Sequence, residues 1–81
     1  MEEQLELGKE VFKALASDTR IDILKALTER RKTLTELSES LNLSKSTAHE
    51  HLLKLTESGL IRKVDSPNKW IYYELPGKEW T

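Results

Sequence analysis

The chain of 81 residues contains no cysteine and only three glycines. Without cysteine it has neither disulfides nor thiolate metal ligands, which suits a reducing cytoplasm. Three glycines are too few for a glycine-rich loop that cradles phosphate. No apolar run approaches the roughly 20 residues of a membrane-spanning helix, and the acidic start MEEQLELGKE lacks the basic-then-apolar order of a signal peptide. We expect one small cytoplasmic domain over residues 1–81.

An excess of positive charge is also missing, because the formal net charge is −1. The charges are unevenly spread, however. Residues 1–29 carry four Lys and Arg against seven Asp and Glu, whereas residues 30–78 carry nine against six. If the chain binds a polyanion, the basic surface that such binding needs lies in the second part.

Apolar spacing predicts two helices in the first third of the chain. Residues 3–16 form an incomplete helical stripe of Leu5, Val11, Phe12 and Leu15, with Leu7 beside it. We expect this ragged face either to pack on its own domain or to meet a second subunit.

The second predicted helix begins after Asp18, a good N-cap residue, and ends near Glu29. Its buried stripe is Ile21, Leu24 and Leu27, flanked by Ile23. The basic run at residues 30–32 follows, as a solvated helix end or as a phosphate contact.

Residues 33–44 have the signature of a short helix and a tight turn. Residues 33–36 read as a capping box, with a hydroxyl at the N-cap and a carboxylate three residues later. Leu34, Leu37 and Leu41 line one face, and Asn42 can take the left-handed conformation that ends a helix. Ser44 then caps the next helix, so the pair forms a helix-turn-helix.

The next helix is predicted from Lys45 to Ser58, with Gly59 behind it. Ala48, Leu52 and Leu55 form its apolar face. At about 100° per residue, Ser46, Glu50, Leu53 and Glu57 point the other way. Short polar side chains near the N-terminus suit an approach to base edges in a DNA groove. The predicted DNA contacts on this helix are Ser44, Lys45, Ser46, Thr47, His49 and Glu50.

A two-stranded hairpin is predicted after Gly59. Residues 60–65 favour a strand, residues 66–69 (SPNK) are turn chemistry, and residues 70–75 are rich in aromatic and β-branched side chains. Arg62, Lys63 and Lys69 give the hairpin a basic base and tip, where we expect contacts to the DNA backbone or an adjacent minor groove.

The resulting order, α-α-α-α-β-β, is mainly α with a small β-hairpin and is that of a winged helix-turn-helix. At this point the chain resembles the ArsR-like (arsenical-repressor-like) transcriptional regulators over about residues 11–75. FKALASDTRIDILKAL is similar to that family's second-helix opening, SKSTAHEHLLKLTESGLI to its recognition helix, and KWIYYEL to its second wing strand. The residues that carry the likeness are Asp18, Thr19, Arg20, Ile23, Leu24, His51, Leu52, Leu55, Gly59 and Leu60.

The resemblance implies a sequence-specific regulator that binds double-stranded DNA. A monomer with so few cations would bind DNA weakly, so we expect a homodimer, with Leu5, Leu7, Val11 and Phe12 as the candidate dimer surface. Family metal sensors use paired Cys in the first helix of the helix-turn-helix, or Asp and His ligands on a C-terminal helix. Here that first helix is LTELSESL, without Cys, and we expect the few residues after the hairpin to be too short for such a C-terminal helix. We therefore expect neither a metal site nor a cofactor. On this resemblance the chain is either a minimal regulator or the DNA-binding part of a longer protein.

The same residues also bear on metal binding, catalysis and protein contact as alternative functions. His49 and His51 lie about 200° apart on a helix and cannot easily share a metal ion, so His51 is expected to pack beside the buried face. No Ser-His-Asp order points to an enzyme. Trp70, Tyr72 and Tyr73 favour hairpin packing over stacking on unpaired bases. The alternative to DNA binding is a winged helix that contacts protein, which the near-neutral charge and the outward Glu50, Leu53 and Glu57 support.

Overall fold

The computed structural model describes residues 17–77, and the predicted helix over residues 3–16, with its candidate dimer surface, lies outside them. The described part contains three helices and three short strands. We number them α1 (Asp18–Leu27), β1 (Lys32–Thr33), α2 (Leu34–Ser40), α3 (Lys45–Ser58), β2 (Arg62–Asp65) and β3 (Ile71–Glu74). The winged helix-turn-helix architecture predicted from the sequence is confirmed.

The first described helix starts one residue earlier than expected. Ser17, and not Asp18, is the N-cap of α1, and its side chain accepts a hydrogen bond from the backbone N–H of Arg20. Asp18 becomes the first helical residue, where a carboxylate still favours the positive end of the helix dipole. The helix ends at Leu27, two residues short of Glu29. The predicted cap was wrong because serine and aspartate are equally good N-caps and stand next to each other.

Local capping fixes the helix-turn-helix as predicted. Thr33 and Glu36 make both bonds of the capping box, each to the other's backbone N–H. Asn42 has a positive φ of 58° in the turn. Ser44 accepts from the backbone N–H of Thr47 at the start of α3, and Gly59 ends that helix with φ 85°. A side chain at Gly59 would meet no atom within 4 Å, so glycine is needed there for its left-handed backbone and not for space.

The sheet has one strand more than the hairpin predicted. β3 lies in the middle of the order β1-β3-β2 and pairs with both neighbours in antiparallel fashion. Tyr72 is opposite Thr33 on one side and Val64 on the other. A strand of two residues is too short to show an alternating pattern, so β1 gave no signal in the sequence. The hairpin strands are also shorter than predicted, and Ile61, which comes directly before β2, is buried in the core.

One apolar core joins all three helices to the wing, which is the hairpin formed by β2, β3 and the turn between them. Its buried members are Ile23, Leu27, Leu37, Leu52, Leu55, Ile61 and Tyr73. In α1 the fully buried stripe is Ile23 and Leu27, four residues apart, while Ile21 and Leu24 are only half-buried. The predicted stripe was therefore right at Leu27, but the second fully buried residue of α1 is Ile23 and not Ile21 or Leu24. Within residues 17–77, no helix has both the length and the apolarity to cross a membrane.

Adjacent leucines of α3 provide a direct test of this core. Leu52→Ala should lower the free energy of unfolding by about 2–5 kcal/mol, because Leu52 is fully buried and its truncation leaves a cavity. Leu53→Ala makes the same chemical change on the exposed face and should cost about 0.5 kcal/mol or less. Urea unfolding followed by circular dichroism measures both. Equal losses would show that α3 is rotated about its axis relative to the orientation described here.

Candidate nucleic-acid interface

The polar face of α3 is exposed because its opposite face is buried in the core. Ala48, Leu52 and Leu55 are completely buried. All predicted contact residues of this segment are exposed: Ser44, Lys45, Ser46, Thr47, His49 and Glu50. The structure therefore leaves these six side chains accessible at the N-cap and in the N-terminal half of a 14-residue helix.

The Ser44 hydroxyl, at the start of α3, is engaged in hydrogen bonds within the protein. Ser44 accepts from the backbone N–H of Thr47 at 3.1 Å and donates to the Thr47 hydroxyl at 2.9 Å. Its hydroxyl is thus used to cap the helix. The first N–H groups of a helix have no partner within it, and together with the helix dipole they attract an anion. Ser44 orders this end of α3, while the backbone N–H groups beside it and Lys45 supply the positive potential.

His51 lies on the side of α3 that faces α1. Its Nδ1 accepts a hydrogen bond of 2.9 Å from Nε of Arg20, 31 residues earlier in the chain. Partial burial, and then the nearby Arg20 cation, lower the pKa of His51 from its ordinary value. A packing role for His51 was expected, but its arginine partner was not, since nothing in local spacing predicts a contact over that separation.

The three predicted wing cations differ in their surroundings. Lys63 and Lys69 are exposed, and Lys69 lies in the turn with φ 69°. Arg62 instead forms an ion pair of 2.6 Å with Glu74, its direct neighbour across the ladder. The Arg62 side chain remains 59% exposed while that of Glu74 is only 4% exposed. The Arg62 guanidinium is therefore exposed to solvent, and the buried carboxylate of Glu74 partly neutralises its charge.

The basic run before α2 is bound within the domain. Arg30 forms a 2.9 Å ion pair with Glu36, and Lys32 forms one of 3.0 Å with Glu29. The Arg31 guanidinium lies 4.7 Å from the centre of the Tyr72 ring, a cation–π contact. The hydrogen bond from Arg30, and then that from the Thr33 backbone, lower the pKa of Glu36. This run joins α2 to the wing, a role that the sequence did not suggest.

A shallow cleft of about 340 Å³ lies between α2 and the wing. It is lined by Thr33, Thr35, Glu36, Asn68, Trp70 and Tyr72. Of the wing aromatics, Tyr73 is buried in the core as the packing interpretation predicted, whereas Trp70 is mostly exposed. Among residues 17–77 no group of three or more His, Cys, Asp or Glu side chains is placed to hold a metal ion.

Comparison with known proteins decides the family. The family described as "Bacterial regulatory protein, arsR family" matches residues 17–63, which contain α1, the helix-turn-helix and the first residues of β2. The chain belongs to the arsR family. It is accordingly a DNA-binding transcription regulator with a winged helix-turn-helix fold.

Individual relatives agree with this assignment. The chain is 35% identical over 78 residues to the arsenical resistance operon repressor of Bacillus subtilis (strain 168), covering 95% of this chain and 73% of that protein. Its fold is similar to that of HlyU from Vibrio cholerae N16961, with a TM-score of 0.81, 31% identity, and coverage of 93% and 80% of the two chains. The homodimeric winged helix-turn-helix domain of Mb0332 from Mycobacterium bovis also has a TM-score of 0.81, at 26% identity, and the match covers 91% and 68%.

The partly buried His51, with the Arg20 cation next to it, makes stability depend on pH. The folded-state pKa of His51 lies below its ordinary value of 6.5, so protonation is easier in the unfolded chain. Stability should therefore be at its full value above pH 6.5 and fall as the pH drops toward the folded-state pKa. Urea unfolding at about pH 7.5 and about pH 5.5 measures the difference.

The variant His51→Gln should reduce this pH dependence, because glutamine keeps an acceptor for Arg20 but does not titrate. Glu36→Gln is the control. The pKa of Glu36 lies below its ordinary value of 4.5, so this variant should keep the wild-type pH dependence in the same range. An unchanged slope in His51→Gln would assign the effect to another group.

Proposed function

We propose that the chain recognises a specific double-stranded DNA sequence with α3 in the major groove and the wing on the backbone. The supporting observation is the fixed rotation of α3, which turns six polar side chains outward at its N-terminal half. Ser46, Thr47, His49 and Glu50 are the base-reading candidates. A carboxylate such as that of Glu50 can accept a hydrogen bond from the amino group of cytosine.

The phosphate contacts fall on the edges of this surface. Lys45 and the backbone N–H groups after Ser44 lie at the positive end of α3, where a phosphate is favoured. Lys63 and Lys69 extend from the wing, and Arg62 adds a third group whose position is set by Glu74. Such contacts position a protein on DNA, while base contacts specify the sequence.

The active unit in this proposal is a homodimer of one winged domain over residues 1–81, working in the cytoplasm without catalysis. A monomer with this few cations grips DNA weakly, and two copies on a near-palindromic site add their contacts. The similar domain of Mb0332 is described as homodimeric. The proposed dimer surface is Leu5, Leu7, Val11 and Phe12 of the N-terminal segment, whose ragged apolar spacing suits a subunit contact.

Selection from random duplex DNA at low and at physiological salt tests the function. Enrichment of one motif supports a sequence-specific regulator. Weak binding that salt removes, without a motif, favours the alternative of a winged helix that contacts protein. Light scattering on the same sample, alone and with the selected duplex, reports whether one or two copies bind.

Lys69→Ala should weaken binding to all DNA sequences alike and reduce the dependence of affinity on salt by about one unit of slope for each bound copy. Lys25→Ala removes the same charge from the exposed side of α1, away from the proposed surface, and should leave the slope unchanged. Titrations of labelled duplex at several salt concentrations give both slopes. A loss confined to one sequence would contradict a backbone role for the wing.

Glu50→Ala should change which base is preferred at one position of the selected motif, since the acceptor for the cytosine amino group is lost. Glu57→Ala is the matched control, because Glu57 is equally an exposed carboxylate of α3 but lies in its last turn. Repeating the selection with each variant measures the preference. A profile that Glu50→Ala leaves unmoved would show that this carboxylate does not read bases.

A further inference from the structure

One large apolar side chain lies on the exposed face of α3. Leu53 is 46% exposed, and Glu50 and Glu57, one turn away on either side, are exposed as well. Its neighbours Leu52 and Leu55 are fully buried. The helix therefore cannot rotate to cover Leu53 without drawing core side chains into water. The fold holds one apolar group at a fixed place on a polar face.

We propose that Leu53 is a specificity-determining residue that packs against the C5-methyl group of a thymine in the bound DNA. This inference rests on the proposed function, which places α3 in the major groove. Thymine carries a methyl group on its major-groove edge, and the other three bases present hydrogen-bonding atoms there. A leucine side chain has no donor or acceptor, so the thymine methyl is the base feature that matches it.

The position of Leu53 along the helix suits such a contact. It follows Glu50 by three residues, a rise of about 4.5 Å, which compares with about 3.4 Å between successive base pairs. Helical side chains lean toward the N-terminus, so Leu53 covers the surface of the turn before it, beside Glu50. Glu50 and Leu53 can thus meet neighbouring base pairs, one through a hydrogen bond and the other through a methyl group.

The surroundings of Leu53 favour DNA over a protein partner. Protein-binding surfaces are built on contiguous apolar patches of several hundred Å² with aromatic or arginine anchors. Leu53 has exposed Glu50, Lys54 and Glu57 around it on α3. Within residues 17–77 the other exposed large apolar side chains, Trp70 and Ile71, belong to the wing and not to this helix. A single leucine is the counterpart of a methyl group more than of an interface core.

Removing single methyl groups from the DNA tests the inference. Each thymine of the selected duplex is replaced in turn by uracil, which lacks only the C5-methyl group, and binding is measured by fluorescence anisotropy. Burial of one methyl group corresponds to about a fourfold change in affinity. Wild-type protein should lose about that factor at one thymine of each half-site. Leu53→Ala should bind the thymine and uracil duplexes equally at that position.

Ile71→Ala is the matched control, because it truncates an aliphatic side chain of similar exposure on β3 and should keep the wild-type sensitivity. Circular dichroism verifies that both variants are folded. If a motif is enriched but no thymine responds to methyl removal, or if Leu53→Ala responds as the wild type does, this inference alone is overturned. If no motif is enriched, the proposed function fails with it. A Leu53→Ala variant that is folded but no longer dimerises would assign Leu53 to protein contact and also overturn the inference.

Discussion

The burial of Leu52 and Leu55 is the constraint on which the rest of this structure depends. These two side chains, with Ala48, pack α3 against the other helices and leave it one possible rotation. The orientation of every proposed reading residue follows from that packing. Polar side chains alone would not fix the rotation of α3 about its axis. The exposure of the proposed base-reading side chains therefore depends on the apolar contacts of the opposite face. A domain this small buries only a modest core, so a few side chains carry this constraint.

Several of the basic side chains of this domain form ion pairs within the fold. Three Lys and Arg side chains of residues 17–77 are paired with carboxylates in the fold, as Arg30–Glu36, Lys32–Glu29 and Arg62–Glu74. The Arg30–Glu36 pair is exposed and contributes little stability. It holds the loop after α1 against α2, whereas Arg62–Glu74 joins the paired strands β2 and β3. Besides Arg62, the proposed phosphate contacts are three lysines, Lys45, Lys63 and Lys69. In the proposed mode of binding, the affinity depends on pairing of subunits, and the helix contributes mainly discrimination.

Local chemistry made much of the fold predictable, and contacts between distant residues made the remainder unpredictable. The bounds of α3 follow from Ser44 and Gly59, because a cap residue and a left-handed glycine leave the helix little choice. The strand β1 could not be foreseen, since two residues carry no period. The same holds for the Arg62–Glu74 and Arg20–His51 contacts, which require the sheet register and the helix packing to be known first. Sequence therefore indicated which residues are exposed on α3, and the structure supplied which cations are already engaged.

Thr33 belongs to two elements at once, and this has a consequence for how the chain can vary. It is paired with Tyr72 in the sheet and is the N-cap of α2. No linker separates strand from helix, so an inserted residue there would separate the cap from its helix or shift the strand register. Length changes are tolerated more readily in the wing turn at residues 66–69, where the chain is exposed or half-exposed and reverses direction. Within residues 17–77, length variation is thus expected at the tip of the wing and not at the strand-to-helix junction of Thr33.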